Sequence, residues 1–154
     1  MDTTQKQSSS YSYSDTVMLY RFIYKKAQLS MGILGKLEEK QYNEKISEII
    51  SGQRRGYTAI LRNAANALAK CGARIGGMKS TEKLQTCLEI HLKLGNTKDS
   101  EKAIEYLINT TTQLAIEGAK KKTMYRNANK DSKDLMERLL SFEDANCRKL
   151  REYL

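Results

Sequence analysis

At 154 residues the chain is one domain by the length prior and is long enough to bury a real core. Hydrophobic residues make up 40% and charged residues 29%, a globular balance, while proline and tryptophan are absent. Proline interrupts helices, so its absence from a chain rich in Leu, Ala, Lys, Glu and Ile predicts an all-α fold. The net charge of +9 fits attraction to a polyanion. Its scatter from Arg21 to Arg151, with runs only at Arg54-Arg55 and Lys120-Lys121-Lys122, fits a solvated helical surface better. Cys71, Cys87 and Cys147 are odd in number, widely spaced and set in apolar patterns, which predicts buried reduced thiols rather than a disulfide frame or zinc site. No hydrophobic leader opens the chain, and no apolar run approaches the roughly 18–20 residues that span a bilayer, so a cytoplasmic protein is expected.

Residues 1–13 are rich in Ser, Thr and Gln and read as a flexible tail, with Tyr11 and Tyr13 available for a local contact. The remainder, 14–154, reads as a single helical bundle domain. Ser14 or Asp15 is expected to cap a first helix whose apolar face runs from Leu19 through Phe22, Ile23, Leu29, Ile33 and Leu34 to Leu37. A second helix, from about Tyr42 or Asn43 to Cys71, carries the stripe Ile46, Ile49, Ile50, Gln53, Tyr57, Ile60, Leu61, Ala64 and Leu68. Gly32 and Gly35 on the first helix and Gly52 and Gly56 on the second cost helix propensity. Either two backbones approach closely there, or the helices are loosened.

Gly72 is placed as the C-terminal cap of the second helix. Ser80-Thr81-Glu82 then opens a short helix through Leu84, Leu88, His91, Leu92 and Leu94, closed by Gly95-Asn96. Thr97, Asp99 or Ser100 caps a third long helix with the face Ile104, Leu107, Ile108, Thr111, Leu114, Ala115 and Gly118. After a turn at 127–129, Asp131 is expected to cap a last helix burying Leu135, Leu139, Phe142, Asn146, Leu150 and Tyr153. Two tightly joined long helices, a crossover of about 25 residues and two more tightly joined long helices form the connectivity of ferritin-like bundles.

The segments Glu101-x-x-Ile104, 107–111 (Leu-Ile-Asn-Thr-Thr), 116–118 (Ile-Glu-Gly) and 139–146 (Leu-Leu-Ser-Phe-Glu-Asp-Ala-Asn), with Leu150-x-x-Tyr153-Leu154, carry a resemblance. Over about 92–154, and at the level of pattern over 17–72, the chain resembles a bacterial branch of the ferritin-like four-helix-bundle superfamily to which no activity is assigned. For the superfamily at large that resemblance implies a two-metal core site used in iron storage or oxygen chemistry. Such a site takes one Glu from each of two helices and a Glu-x-x-His pair from each of the other two. Here Glu143-x-x-Asn146 holds asparagine at the histidine position, and the matching Gln53-x-x-Gly56 has lost both ligands. The first helix has no carboxylate between Asp15 and Glu38, and Glu117, beside Lys120 and Lys121, reads as solvated. One acid without histidine cannot neutralise two dications, so no metal or other cofactor is expected. Glu143 is placed at the surface or boundary, the alternative being an inward carboxylate paired with Arg54 or Gln53. Gln53 and Asn146 are expected to share a hydrogen bond or a buried water in the core.

The single histidine, His91, reads as structural, and nothing in the sequence brings Cys71 or Cys87 to it with an orienting acid. No strand precedes the glycines at 72, 76 and 77, so they are not a phosphate loop. An enzyme is therefore not expected. Tyr20 and Tyr24, with Met31, give the first helix a second apolar face, read as a self-association surface or as cover for the crossover helix. The preferred reading is a non-catalytic interaction or structural bundle that pairs with itself or another protein. One alternative is a nucleic-acid or polyanion module using Arg54, Arg55, Arg62, Lys120, Lys121, Lys122 and Arg126; another is a metalloprotein with an atypical site.

Overall fold

A computed structural model describes residues 11–76, 82, 85, 89–90, 93–95 and 99–154. Among these, four α-helices carry the fold: α1 (Tyr13–Glu38), α2 (Glu44–Lys70), α3 (Ser100–Met124) and α4 (Lys130–Arg151). Each begins at a side-chain cap that accepts one of the orphan N–H groups of the first turn. Ser12 accepts from Asp15, Asn43 from Ile46, Asp99 from Glu101 and Asn129 from Ser132. The chain thus enters α1 two residues before Ser14 and enters α4 at Asn129 rather than Asp131. Ser12 and Tyr13 belong to the bundle and not to a tail: the Ser12 N–H donates to the Asn127 carbonyl at 2.6 Å, and the Tyr13 hydroxyl donates to the Cys71 carbonyl at 2.7 Å. Residues 1–10 of the expected tail lie outside the described residues.

Those bonds fix the helix directions. The start of α1, the end of α2 and the α3–α4 turn share one end of the bundle, where the Asn129 N–H also donates to Thr16 Oγ1 at 2.8 Å. At the opposite end the α1–α2 turn meets the approach to α3, with Lys40 Nζ donating to the Gly95 carbonyl. Hence α1 and α4 run one way, α2 and α3 the other, and residues 71–99 connect the two ends. Gly72 takes φ +69° at the close of α2, where an L side chain would be strained. Glu82, Gln85, Glu89, Ile90, Lys93 and Leu94 have helical backbone. The rest of the expected short helix, with His91 and Cys87, lies outside the described residues. No helix among the described residues is long and apolar enough to cross a membrane.

The helices α1 and α4 each pack on the other three, whereas α2 and α3 stand at opposite corners. At the end holding the α3–α4 turn the core is apolar apart from Thr16 and Ser132, whose hydroxyls bond to the helix starts, with Leu19, Ile23 and Ala27 of α1, Ala64 and Leu68 of α2, and Met136 and Leu139 of α4 almost wholly buried. Ile33, Leu34, Leu37, Ile50, Ile104 and Leu150 do the same at the other end. Full burial of such a side chain contributes about 1.5–3 kcal/mol against leaving it in water. Between the two apolar ends lies a polar layer of Ser30, Gln53, Tyr57, Thr111, Glu143 and Asn146, all buried.

The four helical glycines of α1 and α2 behave differently from one another. Gly32 has open space where a Cβ would stand, and at Gly35 and Gly52 a Cβ would meet only arginine side chains at ordinary contact distance. Gly56 alone marks a close approach, and it is to the side chain of α4: a Cβ there would lie 2.2 Å from Cζ of Phe142.

Candidate functional site

Helix α2 brings Gln53 and Tyr57 inward one turn apart, and α4 brings Glu143 and Asn146 inward at i, i+3. Because α2 and α4 are antiparallel, Tyr57 meets Glu143, and Gln53 and Asn146 fall one turn further along. The Tyr57 hydroxyl donates to Glu143 Oε2 at 3.2 Å. The Tyr57 ring also takes the Phe142 ring edge-on, with centroids 4.9 Å apart and planes at 83°. Phe142 is half-buried and lies on Gly56, while Glu143 is 1% exposed.

The surface or boundary placement of Glu143 is therefore corrected. Helix α4 is turned so that the carboxylate, and not the phenylalanine beside it, faces the core. Its partner is neither Arg54 nor Gln53, since Arg54 Nη1 lies 2.5 Å from Glu38 Oε2. The shared amide bond is corrected too, because Gln53 Nε2 and Asn146 Nδ2 are both buried without a hydrogen-bond partner. Tyr153, expected inside, is exposed.

Burial dominates the electrostatics of this layer. It pushes the Glu143 carboxyl up to about 7, against the opposing pull of the Tyr57 hydrogen bond and of the Lys26 charge. The Tyr57 phenol is pushed far up, first by burial and then by the Glu143 charge. Burial also raises the Cys147 thiol, one residue beyond Asn146. The Ser30 hydroxyl lies beside the Tyr57 phenol without a bond of good geometry. Cys71 and Cys147 are free thiols, the first half-buried and the second buried.

The donor set does not fit a two-metal centre. Gln53 and Asn146 offer neutral amides, Gly56 offers nothing, and the Phe142 ring occupies the space a side chain at 56 would need. Glu117 is turned outward onto Lys26 at 2.5 Å, with its side chain 46% exposed. No group of three or more His, Cys, Asp or Glu among the described residues is placed to hold a metal ion.

The other sequence candidates fall elsewhere. Arg54, Arg55 and Arg62 are exposed on α2, while Lys120, Lys122 and Arg126 are exposed at the end of α3, with Lys121 half-buried near the Tyr125 ring. Since α2 and α3 occupy opposite corners, these cations make two groups and not one surface. Lys122 is engaged by Glu137. Of the expected self-association face, Tyr20 is in the core at 5% exposure, its phenol pushed up to about 12 by burial and then by Asp131 and Cys71. Tyr24 and Met31 are half-buried against the core, Met31 Sδ accepting from Thr58 Oγ1 at 3.8 Å.

Tyr57 and Ser30 belong to this layer without having been assigned to it from the sequence, and Lys26 acts on it from outside. The signal for Tyr57 was present: in an antiparallel pair that sets Gln53 against Asn146, the residue four beyond Gln53 must face the residue three before Asn146. The chain matches no family model, no curated protein and no solved structure.

Proposed function

We propose that the protein is a ferritin-like bundle without ferritin chemistry, acting as an interaction or structural protein that associates with itself or with another protein. The observation that carries this reading is the polar layer itself. At the positions where a Glu-x-x-His pair would project from each of two helices, the chain has Gln53 with Gly56 and Glu143 with Asn146, and the Phe142 ring fills the gap at Gly56. The helix directions, with residues 71–99 connecting one end of the bundle to the other, support the ferritin-like part of the reading. Met18, Phe22 and Leu29 of α1 line an outer groove of about 650 Å³ that α3 and the crossover residues Glu82, Gln85 and Glu89 also bound, and this partly apolar groove is the surface that favours association.

The test has two arms. Protein purified without chelator is expected to carry no stoichiometric iron, manganese or zinc by elemental analysis, and two metals per chain would sink the reading. Light scattering on the full chain is expected to show a defined oligomer or, with lysate fractions added, a saturable complex; a monomer under both conditions would remove the association claim.

A second reading, polyanion binding, is favoured by the concentration of Lys120, Lys121, Lys122 and Arg126 at the end of α3. It predicts DNA or RNA binding that weakens steeply with salt. Absence of binding at low salt removes it.

A further inference from the structure

An ionised carboxylate can accept about four hydrogen bonds, and Glu143 receives one, from Tyr57, at 3.2 Å. That distance is long for an O–H···O bond. One turn away, the Gln53 and Asn146 amides hold two buried nitrogens that donate to nothing. Few charges face this carboxyl. From α1 comes Lys26, which is held on Glu117 of α3; from α2 comes only the Tyr57 phenol. The buried face of α3 presents Thr111 and the Tyr106 phenol, which burial keeps neutral. On α4 itself the Cys147 thiol is raised by burial, and the exposed Asp144 is paired with Arg148 at 3.1 Å. The layer suits a neutral carboxylic acid and leaves an ionised one under-solvated.

A small space adjoins this layer on the side of Gln53 and Tyr57. A cavity of about 10 Å³ is bounded by Ser30, Gln53, Tyr57 and Thr111, with Thr110 and Leu114 at its α3 side. Its size is at the lower limit for a single water molecule. Thr110 and Leu114 also line an outer groove of about 580 Å³ between α3 and the crossover residues Glu89, Lys93 and Leu94. Thr110 and Leu114 are the side chains common to both linings and stand between the small space and the outer groove.

We propose that Glu143, Tyr57, Gln53 and Asn146 form a proton-operated switch in the bundle core. With the proton on Glu143 the layer is sealed. When the proton leaves to solvent water past Thr110, water enters by the same route, the Gln53 and Asn146 amides turn onto the carboxylate, and α2 loosens against α4. The free energy for loosening comes from solvating a charge that the closed layer cannot serve, so the device responds to pH without any bound ligand.

Hydrogen exchange on the full chain tests this, run from about pH 5 to pH 9 and corrected for the intrinsic pH dependence of exchange. Amides near 53–57 and 143–147 are expected to lose protection up to about tenfold per pH unit across the titration of Glu143, then to level off. Glu143→Gln keeps an acceptor for Tyr57 but has no proton to lose, so its protection should stay flat over the same range. Parallel curves for the two proteins overturn the proposal. Should Glu143→Gln fail to fold, carbon NMR of the Glu143 carboxyl in the unaltered chain decides the matter together with the exchange data. A near-neutral midpoint coinciding with loss of protection supports the switch. An ordinary carboxylate midpoint, or titration without a change in exchange, overturns it. Lys26→Met, which removes the one cation acting on Glu143, should move both transitions to higher pH, and an unmoved transition counts against the arrangement.

Discussion

The apolar ends and the polar middle of this bundle are built on the same four helices and obey different rules. At the end holding the α3–α4 turn, Leu19, Ile23, Leu68 and Leu139 fill the core with side chains that need only volume and shape. In the middle, Tyr57, Glu143, Gln53 and Asn146 occupy equally buried positions but need specific partners, and only one pair among them is hydrogen-bonded. The ends therefore hold the bundle together, and the middle sets conditions under which it stays closed. A buried polar layer also fixes register, because sliding α2 by one turn against α4 would separate Tyr57 from Glu143.

The largest expected effect belongs to an end. Leu139→Ala should cost about 2–5 kcal/mol in chemical denaturation, the range for a truncated core leucine. A loss below about 1 kcal/mol would mean that this end is not the packed region described. The same variant should leave the pH dependence of stability unchanged, since Leu139 is not part of the polar layer. In the unaltered chain, Glu143 keeps its proton up to about pH 7, whereas in the unfolded chain it loses it near the ordinary carboxyl value of 4.5. The folded state then binds the extra proton between those values. Stability is full below that window, falls by up to about 1.4 kcal/mol per pH unit within it, and is level above. Tyr57→Phe removes the hydrogen bond that favours the charged form and should carry the fall to higher pH. If Tyr57→Phe and Leu139→Ala shift the profile alike, middle and end do not differ as argued.

The ends were also the legible part of the sequence. Helical periodicity alone places Ile46, Ile50, Ile60 and Leu68 on one stripe, and the structure buries all four. The start of α2 at Asn43 could be read from cap chemistry to within a residue, and that of α3 at Asp99 as one of Thr97, Asp99 or Ser100. The starts of α1 and α4 could not, because Ser12-Tyr13-Ser14-Asp15 and Asn129-Lys130-Asp131 each offer competing caps, and tertiary bonds to Asn127 and Thr16 choose among them. In the polar layer, Phe142 and Glu143 lie about 100° apart on α4, and periodicity admits either one inward. Residue type argued for Phe142. What reverses the choice is on another helix: the glycine at 56 gives the ring a seat at the rim, and Tyr57 gives the carboxylate a partner. Tyr20 was misplaced for a related reason. An amphipathic side chain with an apolar body reads equally well as core or as interface until its neighbours are known.

Smaller effects test the middle more finely. Gly56→Ala gains helix propensity but forces the Phe142 ring from its seat and from its contact with Tyr57, for a net loss of about 1–3 kcal/mol. In a Phe142→Leu background the loss should shrink, and an unchanged loss would show that the ring is not the obstacle. Replacing the unpartnered amides together, Gln53→Met with Asn146→Leu, should stabilise by about 1–2 kcal/mol at low pH, since two buried donors without acceptors are removed. Above the titration of Glu143 the gain should diminish, because the ionised carboxylate loses the donors proposed to turn toward it. A gain constant with pH would separate the amides from the switch.

Gly32→Ala gives the smallest effect and the cleanest contrast with Gly56. Both glycines sit inside long helices, and each costs close to 1 kcal/mol of propensity relative to alanine. At Gly32 a new methyl meets nothing within 4 Å and points to solvent, so the propensity should be recovered almost whole, as a gain of roughly 0.5–1 kcal/mol in the denaturation midpoint. Position 32 is two residues past Ser30 on the same helix, yet the substitution should leave the pH profile where it was, because it faces away from the layer. If Gly32→Ala instead destabilises the chain, that face of α1 is covered by something, and the association proposed for the bundle has a location.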